Sequence, residues 1–242
     1  MLLACDVGNS TVKFALFDAE IHPLAHWSFP TGIDAETLLA SLSPHVSDCS
    51  FIAFASVNPP EEHRLKKIFQ GKIPHCWDVS VNSPFSFINR YEGLVGVDRL
   101  CACEGALFFH PPPLAVFSFG SALVASVVNR EKEFIGGFIF PGMRMSWDAL
   151  SEKTALIPSF SFPGKFPHPQ PGRSTLESVS MGIFSAYQGI VEKWMDILKK
   201  NFGDMTFVCT GGWASLFSSY FLSEYPHLVA QGIFLVYSRA FK

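Results

Sequence analysis

Charged residues are scarce in this chain, at 16%, and no basic run stands among them. With a formal net charge of −3, nothing favours nucleic acid as a partner. Long apolar runs are missing as well. None approaches the roughly eighteen residues that a membrane-spanning helix needs, so no membrane partner is expected. The start lacks the basic segment and cleavage site of a secretory signal, because Asp6 interrupts its apolar run. Cysteine is present (Cys5, Cys49, Cys76, Cys101, Cys103, Cys209) but without a C-x-x-C pair, and Cys101-x-Cys103 has no second half for a zinc site. Buried free thiols in a reducing, cytoplasmic setting are therefore expected. The eight histidines show no ligand spacing and receive no chemistry. What is abundant is apolar surface: 48% hydrophobic residues, with 25 Phe. That suits one large globular domain or two small ones with real cores, and no long disordered tail.

The chain is organised around its start, Leu2-Leu3-Ala4-Cys5-Asp6-Val7-Gly8-Asn9-Ser10-Thr11-Val12-Lys13-Phe14-Ala15-Leu16-Phe17. An apolar run enters a polar turn and a second run leaves it with alternating character, which predicts a hairpin. Within eight residues stand a carboxylate, a glycine, an amide, two hydroxyls and an amine. Neighbouring N–H groups around Gly8 can converge on an anion. Asp6 can hold a hydrated Mg²⁺, and Lys13 can neutralise phosphate charge. The same residue types also make ordinary hairpin turns, so composition alone leaves both readings open.

Farther along, a helix is predicted over Asp34–Leu42 with Asp34 as its cap, a strand over Phe51–Val57, a helix over Glu61–Gln70 and a strand over His75–Val81. Asn82–Leu94 reads as a loop containing Tyr91. Gly96-Val97-Asp98-Arg99 leads into a helix starting near Asp98. An acid there is either a cap or, beside arginine, a group that accepts a hydroxyl proton while the guanidinium holds a carboxylate. Pro111-Pro112-Pro113 breaks the chain and suggests two halves, 1–112 and 113–242.

The second half repeats the first. In Leu114–Val128, Gly120 falls on Gly8 and Ser118 on Asp6, between apolar runs, which suggests an internal duplication. Gly136–Gly142 predicts a glycine-framed strand, followed by a helix from Met143 to about Ala155. Pro158–Gly172 is a Pro/Phe loop fit for a lid or pocket wall. Ser174-Thr175-Leu176-Glu177 has capping-box spacing and opens a helix to about Lys200. Val179, Ile183, Tyr187, Ile190, Trp194 and Ile197 are expected along one face of it, as core or subunit interface. Met205–Cys209 predicts a strand running into Thr210-Gly211-Gly212, and Ile233–Tyr237 a last strand.

Four motifs thus stand in order: Asp6–Lys13, Gly96–Arg99, the 118–122 turn before Gly136–Gly142, and Thr210–Gly212. Together they resemble the type III pantothenate kinases, members of the superfamily of acetate and sugar kinases, heat-shock chaperone ATPases and actin. The resemblance implies an α/β chain of two duplicated RNase H-like domains of mixed sheet plus helices, with ATP in the cleft between them, and a homodimer. It implies ATP binding by Asp6, Val7, Gly8, Asn9, Ser10, Thr11, Val12, Lys13, Ser121, Gly211 and Gly212, with Mg²⁺ held through water by Asp6. Tyr91, Gly96, Val97, Asp98, Arg99 and Thr175 would hold pantothenate, Asp98 being the base on its terminal hydroxyl. The implied reaction forms 4′-phosphopantothenate, the first step of coenzyme A biosynthesis. The chain departs from the pattern where the family's aspartate for a monovalent cation, K⁺ or NH₄⁺, is Ser118; a threonine a few residues on is replaced by Val124, and the ATP-contacting threonine by Ser121. A non-catalytic relative with a ligand-binding or regulatory role is the alternative.

Overall fold

The computed structural model describes residues 1–163, 166 and 170–241. In chain order they form β1 (Leu2–Val7), β2 (Thr11–Phe17), β3 (Ala25–Pro30), α1 (Ala35–Val46), β4 (Phe51–Ser56), α2 (Pro59–Phe69) and β5 (His75–Asp78). Next come β6 (Ile88–Asn89), α3 (Val97–Phe109), β7 (Leu114–Phe119), β8 (Ala122–Val128) and β9 (Glu133–Pro141). The chain continues with α4 (Met143–Lys153), α5 (Thr175–Phe202), β10 (Thr206–Thr210), a 3-10 segment Ala214–Tyr220, β11 (Ser223–Glu224) and α6 (Leu228–Phe241).

Two compact units result. One comprises Met1–Leu114, Ser126–Gly136 and Pro226–Lys242; the other comprises Ala115–Ala125 and Gly137–Tyr225. The division expected at 112/113 lies beside the end of the first long segment. Two later segments nevertheless belong to the first unit, because β8 and β9 run on from one unit into the other and α6 packs on the first sheet.

In the first unit the sheet order is β3-β2-β1-β4-β5. β1 pairs antiparallel with β2 and parallel with β4, and the β1–β2 register sets Asp6 opposite Lys13. Strand alternation then sorts the side chains. Leu3, Cys5, Val7, Val12, Phe14 and Leu16 face a core shared with Leu38 and Leu42 of α1 and Leu65 and Phe69 of α2. Leu2, Ala4, Ala15 and Phe17 face the other core, with Val97 and Cys101 of α3 and Ile233 and Phe234 of α6. By the same alternation Asp6 and Lys13 belong to the α3/α6 face. The sequence caps its helices where expected: the Asp34 carboxylate accepts from Thr37 N–H at 2.8 Å.

The second sheet has the order β11-β10-β7-β8-β9-β6. Its run β9-β8-β7-β10-β11 matches β3-β2-β1-β4-β5 rank for rank, as a duplication requires. Ser174 caps α5, accepting from Glu177 N–H at 3.2 Å.

Three expectations need correction. Ile233–Tyr237 is not a strand but the middle of α6. A five-residue apolar run reads either way; here Ala230, Ile233, Phe234 and Val236 pack on the sheet at helical spacing. A side chain at Gly232 would place its Cβ 1.8 Å from the Cys101 carbonyl oxygen, so α3 and α6 meet backbone to backbone. The buried face of α5 is also turned from the expected stripe: Ser180, Ile183, Tyr187, Val191, Met195 and Leu198 are buried, while Val179, Ile190, Trp194 and Ile197 are half-buried. Cys76 is exposed on the outer strand β5, whereas the other five thiols are buried. Of the expected Pro/Phe lid, residues 164, 165 and 167–169 lie outside the described residues. Its Phe162 ring lies against Trp147 and Trp213.

Candidate active site

The first unit gathers a carboxylate pair, an amine and a guanidinium at one end of its sheet. Asp6 stands at the end of β1, half-buried, with Lys13 opposite on β2. Between them the turn closes through Gly8 N–H donating to the Thr11 carbonyl at 3.0 Å. Burial raises the Asp6 carboxyl from its ordinary 3.8 to about 7, against the pull of Lys13 and with a push from Asp98. That mutual influence identifies Asp98 as the neighbouring carboxylate.

Asp98 is the second residue of α3, and Gly96 is the N-cap, with no side chain to cap the helix. The Arg99 N–H donates to Asp98 Oδ1 at 2.9 Å. A Cβ on Gly96 would lie 2.5 Å from that same oxygen. Glycine at 96 thus leaves room for the carboxylate in this position. Burial raises the Asp98 pKa, and the hydrogen bond from Arg99 N–H and the Arg99 charge oppose it. Asp98 thus lies in the first turn of the helix, and its carboxyl is desolvated rather than solvated as a plain cap would be.

Arg99 is 8% exposed. Its Nε donates to Ser126 Oγ on β8 at 3.1 Å, and its guanidinium carbon lies 5.2 Å from the Tyr91 ring centre and 5.3 Å from that of Phe134. These aromatic faces hold the cation in place. One guanidinium nitrogen, Nη2, is buried without a hydrogen-bond partner in the protein. A buried, unsatisfied cationic donor costs free energy, and a bound carboxylate would satisfy it. Tyr91 owes its place to Gly136, whose φ is +100° and whose Cβ would sit 2.9 Å from Tyr91 Cδ2. Val97 is buried in the α3/α6 core.

Ser126, Phe134 and Gly136 were not picked out from the sequence as partners of Arg99. Ser126 carried a signal, being a lone hydroxyl in the apolar run of β8 that must find a partner once buried.

In the second unit the glycine-rich turns crowd one another. Ser121, exposed between β7 and β8, accepts from Gly142 N–H at 3.0 Å, and a Cβ on Gly142 would lie 2.3 Å from the Ser121 oxygen. Gly211, at φ +105°, lies as close to the Phe119 backbone, where Trp213 N–H donates to the Phe119 carbonyl at 3.3 Å. Gly212 is exposed beside it, and Ser118 is half-buried near the end of β7. The strand ends bearing Ser118, Ser121 and Gly211 thus come together. Thr175 does not join them: it lines a groove of about 800 Å³ with Ser146, Arg173, Gly182 and Tyr187, whose walls include no other expected site residue. The Tyr187 hydroxyl bonds the Pro141 carbonyl and Ser146 Oγ there.

No cluster of three or more histidine, cysteine, aspartate or glutamate side chains suited to a metal ion occurs among the described residues. A hydrated Mg²⁺ needs only one or two carboxylates, because it keeps much of its water. Asp6 fits that demand. A carboxyl still half-protonated near neutrality gains from a cation that holds it ionised.

The model of the family described as type III pantothenate kinase matches residues 2–196. The type III pantothenate kinase of Paramagnetospirillum magneticum is 32% identical over 232 residues, covering 90% of this chain and 88% of that protein. Among solved structures, a conserved protein of Campylobacter jejuni described as a Baf family transcriptional activator has a TM-score of 0.64 at 20% identity, covering 98% of each chain. A Listeria monocytogenes protein described as an N-acetylmannosamine kinase has a TM-score of 0.52 at 12% identity, covering 100% of this chain and 99% of its own. These two likenesses speak for the fold, that of the sugar kinases and actin-like ATPases.

Proposed function

The chain belongs to the type III pantothenate kinase family, and from that premise we propose how its residues divide the transfer of a phosphoryl group from ATP to pantothenate. The reaction is ATP-dependent phosphorylation of pantothenate to 4′-phosphopantothenate, in coenzyme A biosynthesis. In-line transfer needs positioning, charge neutralisation and an acceptor for the hydroxyl proton. Asp98 is that acceptor: the substrate oxygen bonds to the γ-phosphorus, the bond from γ-phosphorus to ADP breaks, and the hydroxyl proton passes to the carboxylate. Desolvation makes Asp98 a stronger base than a solvated aspartate. Arg99, with its unpartnered Nη2, holds the pantothenate carboxylate, and Tyr91 and Gly96 shape the surroundings. That unpartnered nitrogen beside a desolvated carboxylate is the observation that carries the assignment.

For ATP, the assignment is the turn from Asp6 to Lys13, extended on the family resemblance to Ser121, Gly211 and Gly212. Mg²⁺ bound with the nucleotide would neutralise phosphate charge, with Asp6 holding it through water. Thr175 is assigned to pantothenate on the resemblance alone. Ser118 offers a neutral oxygen where the family's cation aspartate stands, so any K⁺ or NH₄⁺ there lacks that aspartate's compensating charge. A homodimer is supported by the resemblance and by the exposed apolar Ile139, Phe140 and Leu176 of the second unit; a monomer in sedimentation would remove it. The halves 1–112 and 113–242 are the duplicated sequence repeats, and a cytoplasmic location suits the reaction and the free thiols. The non-catalytic alternative is not favoured, since Asp6, Lys13, Asp98 and Arg99 are all in place.

The test is ADP release from Mg-ATP with and without pantothenate, in sodium, potassium and ammonium buffers. Pantothenate-dependent release is expected, and its response to potassium measures what Ser118 retains. Folded protein that releases no ADP in any buffer would overturn the reading.

A further inference from the structure

The turn that follows Asp6 is held from behind by two side chains outside it. Asn58 Nδ2 and Thr31 Oγ1 both donate to the Gly8 carbonyl oxygen, each at 3.4 Å. Thr31 N–H also takes the Ser10 carbonyl, at 3.1 Å. A peptide unit is planar and trans, so its carbonyl and its N–H point to opposite sides. Donors that fix the Gly8 carbonyl therefore aim the Asn9 N–H the other way. They also occupy a carbonyl whose negative end would repel an anion if the peptide flipped.

Both donors are themselves fixed. Asn58 is the N-cap of α2: its Oδ1 accepts from Glu61 N–H at 3.3 Å, which turns Nδ2 toward Gly8. Pro59 and Pro60 follow at the first helical positions, where their rigid φ suits the helix start. The segment bearing Thr31 is tied to the same helix. Glu61, 6% exposed, accepts from Gly32 N–H at 3.1 Å and pairs with Arg64, whose Nη1 reaches the Ile33 carbonyl at 2.8 Å. One helix start thus braces both hands that grip the turn.

We infer that Asn58 and Thr31 are positioning residues for phosphoryl transfer, which set the Gly8–Asn9 peptide so that its N–H faces the ATP phosphates. The inference rests on the assignment of the turn from Asp6 to Lys13 to those phosphates. Neither residue touches substrate; both act through the peptide.

The test measures ATP and pantothenate KM, kcat and melting temperature for Asn58→Ser, Thr31→Val and Thr31→Ser, with Lys13→Ala alongside. Serine at 58 keeps the N-cap and adds no charge, but it lacks the amide donor. Valine at 31 keeps the shape without the hydroxyl. Loss of either hydrogen bond is expected to raise ATP KM or lower kcat by roughly 3- to 10-fold. Pantothenate KM and melting temperature stay near the parent values, and Thr31→Ser restores the parent kinetics. If Lys13→Ala weakens ATP use while Asn58→Ser and Thr31→Val do not, the positioning role is overturned and the phosphate assignment stands. If Lys13→Ala itself leaves ATP kinetics unchanged, the phosphate assignment falls and this inference falls with it. A parallel rise in pantothenate KM with a lowered melting temperature would mean a merely structural role, and would equally overturn it.

Discussion

Asp6→Asn should make the protein more stable while ending its activity, and the gain should depend on pH. A carboxyl whose pKa is raised in the folded state binds its proton more tightly there than in the unfolded chain. Its contribution is therefore most favourable below 3.8, declines as pH rises from 3.8 to about 7, and stays at full cost above that. At about 1.36 kcal/mol per tenfold in proton affinity, the interval from 3.8 to about 7 amounts to roughly 4 kcal/mol at full ionisation. Asp6 is half-buried and keeps part of its hydration, so the expected gain on removing the charge is about 2–4 kcal/mol near pH 8. Near pH 5 most of the folded carboxyl is protonated and the gain shrinks to about 1 kcal/mol. Urea unfolding of the parent and the variant at both pH values measures this directly. Comparing the two proteins cancels the titration of every group that does not sense the Asp6 charge, which leaves Asp98 as the nearby carboxylate to shift with it. Parallel stability curves across the interval would refute the reasoning, since they would mean that Asp6 ionises in the fold as easily as in water. A stabilised, inactive variant would mark Asp6 as a charge kept for the nucleotide's cation at the expense of the fold.

Three further outcomes are expected. Asp98→Asn should lower kcat by roughly 10²- to 10⁴-fold, with KM for ATP and pantothenate little changed; the parent's rate should fall on acidification at a pH above the ordinary carboxylate range, because burial raises this pKa. Arg99→Lys keeps the charge but loses the planar fork, so pantothenate KM should rise roughly 10- to 100-fold while ATP KM holds, as steady-state kinetics would report. Gly232→Ala should destabilise the fold by about 1–3 kcal/mol or more in urea unfolding, because its Cβ would lie 1.8 Å from the Cys101 carbonyl oxygen and backbone cannot rotate away.

The start of the chain was the most legible part. Its alternation, its turn and the caps at Asp34 and Ser174 act over a few residues, so local sequence carries them. Asp6 and Lys13 meet because a hairpin register is also local. What sequence could not carry was tertiary. The run Ile233–Tyr237 satisfies both periods, and only the close approach of Gly232 to α3 decides for helix. The buried face of α5 depends on where its neighbours lie, and a long helix with apolar residues on several sides offers more than one stripe. Arg99 stands out in the sequence, but its box of Tyr91, Phe134 and Ser126 draws on residues far apart in the chain, which no spacing rule connects.

The packing of α6 sets an order of events during synthesis. The sheet face bearing Ala4, Ala15, Phe17 and Ala53 is covered by α3 together with a helix that begins at Leu228. Its strands are translated long before that helix, so one of their two covering layers comes late. Until then this surface, and the side of the helix carrying Asp98 and Arg99 that packs against α6, lack that cover. A ribosome that stalls before Pro226 would leave behind a nascent chain with its first core half-built.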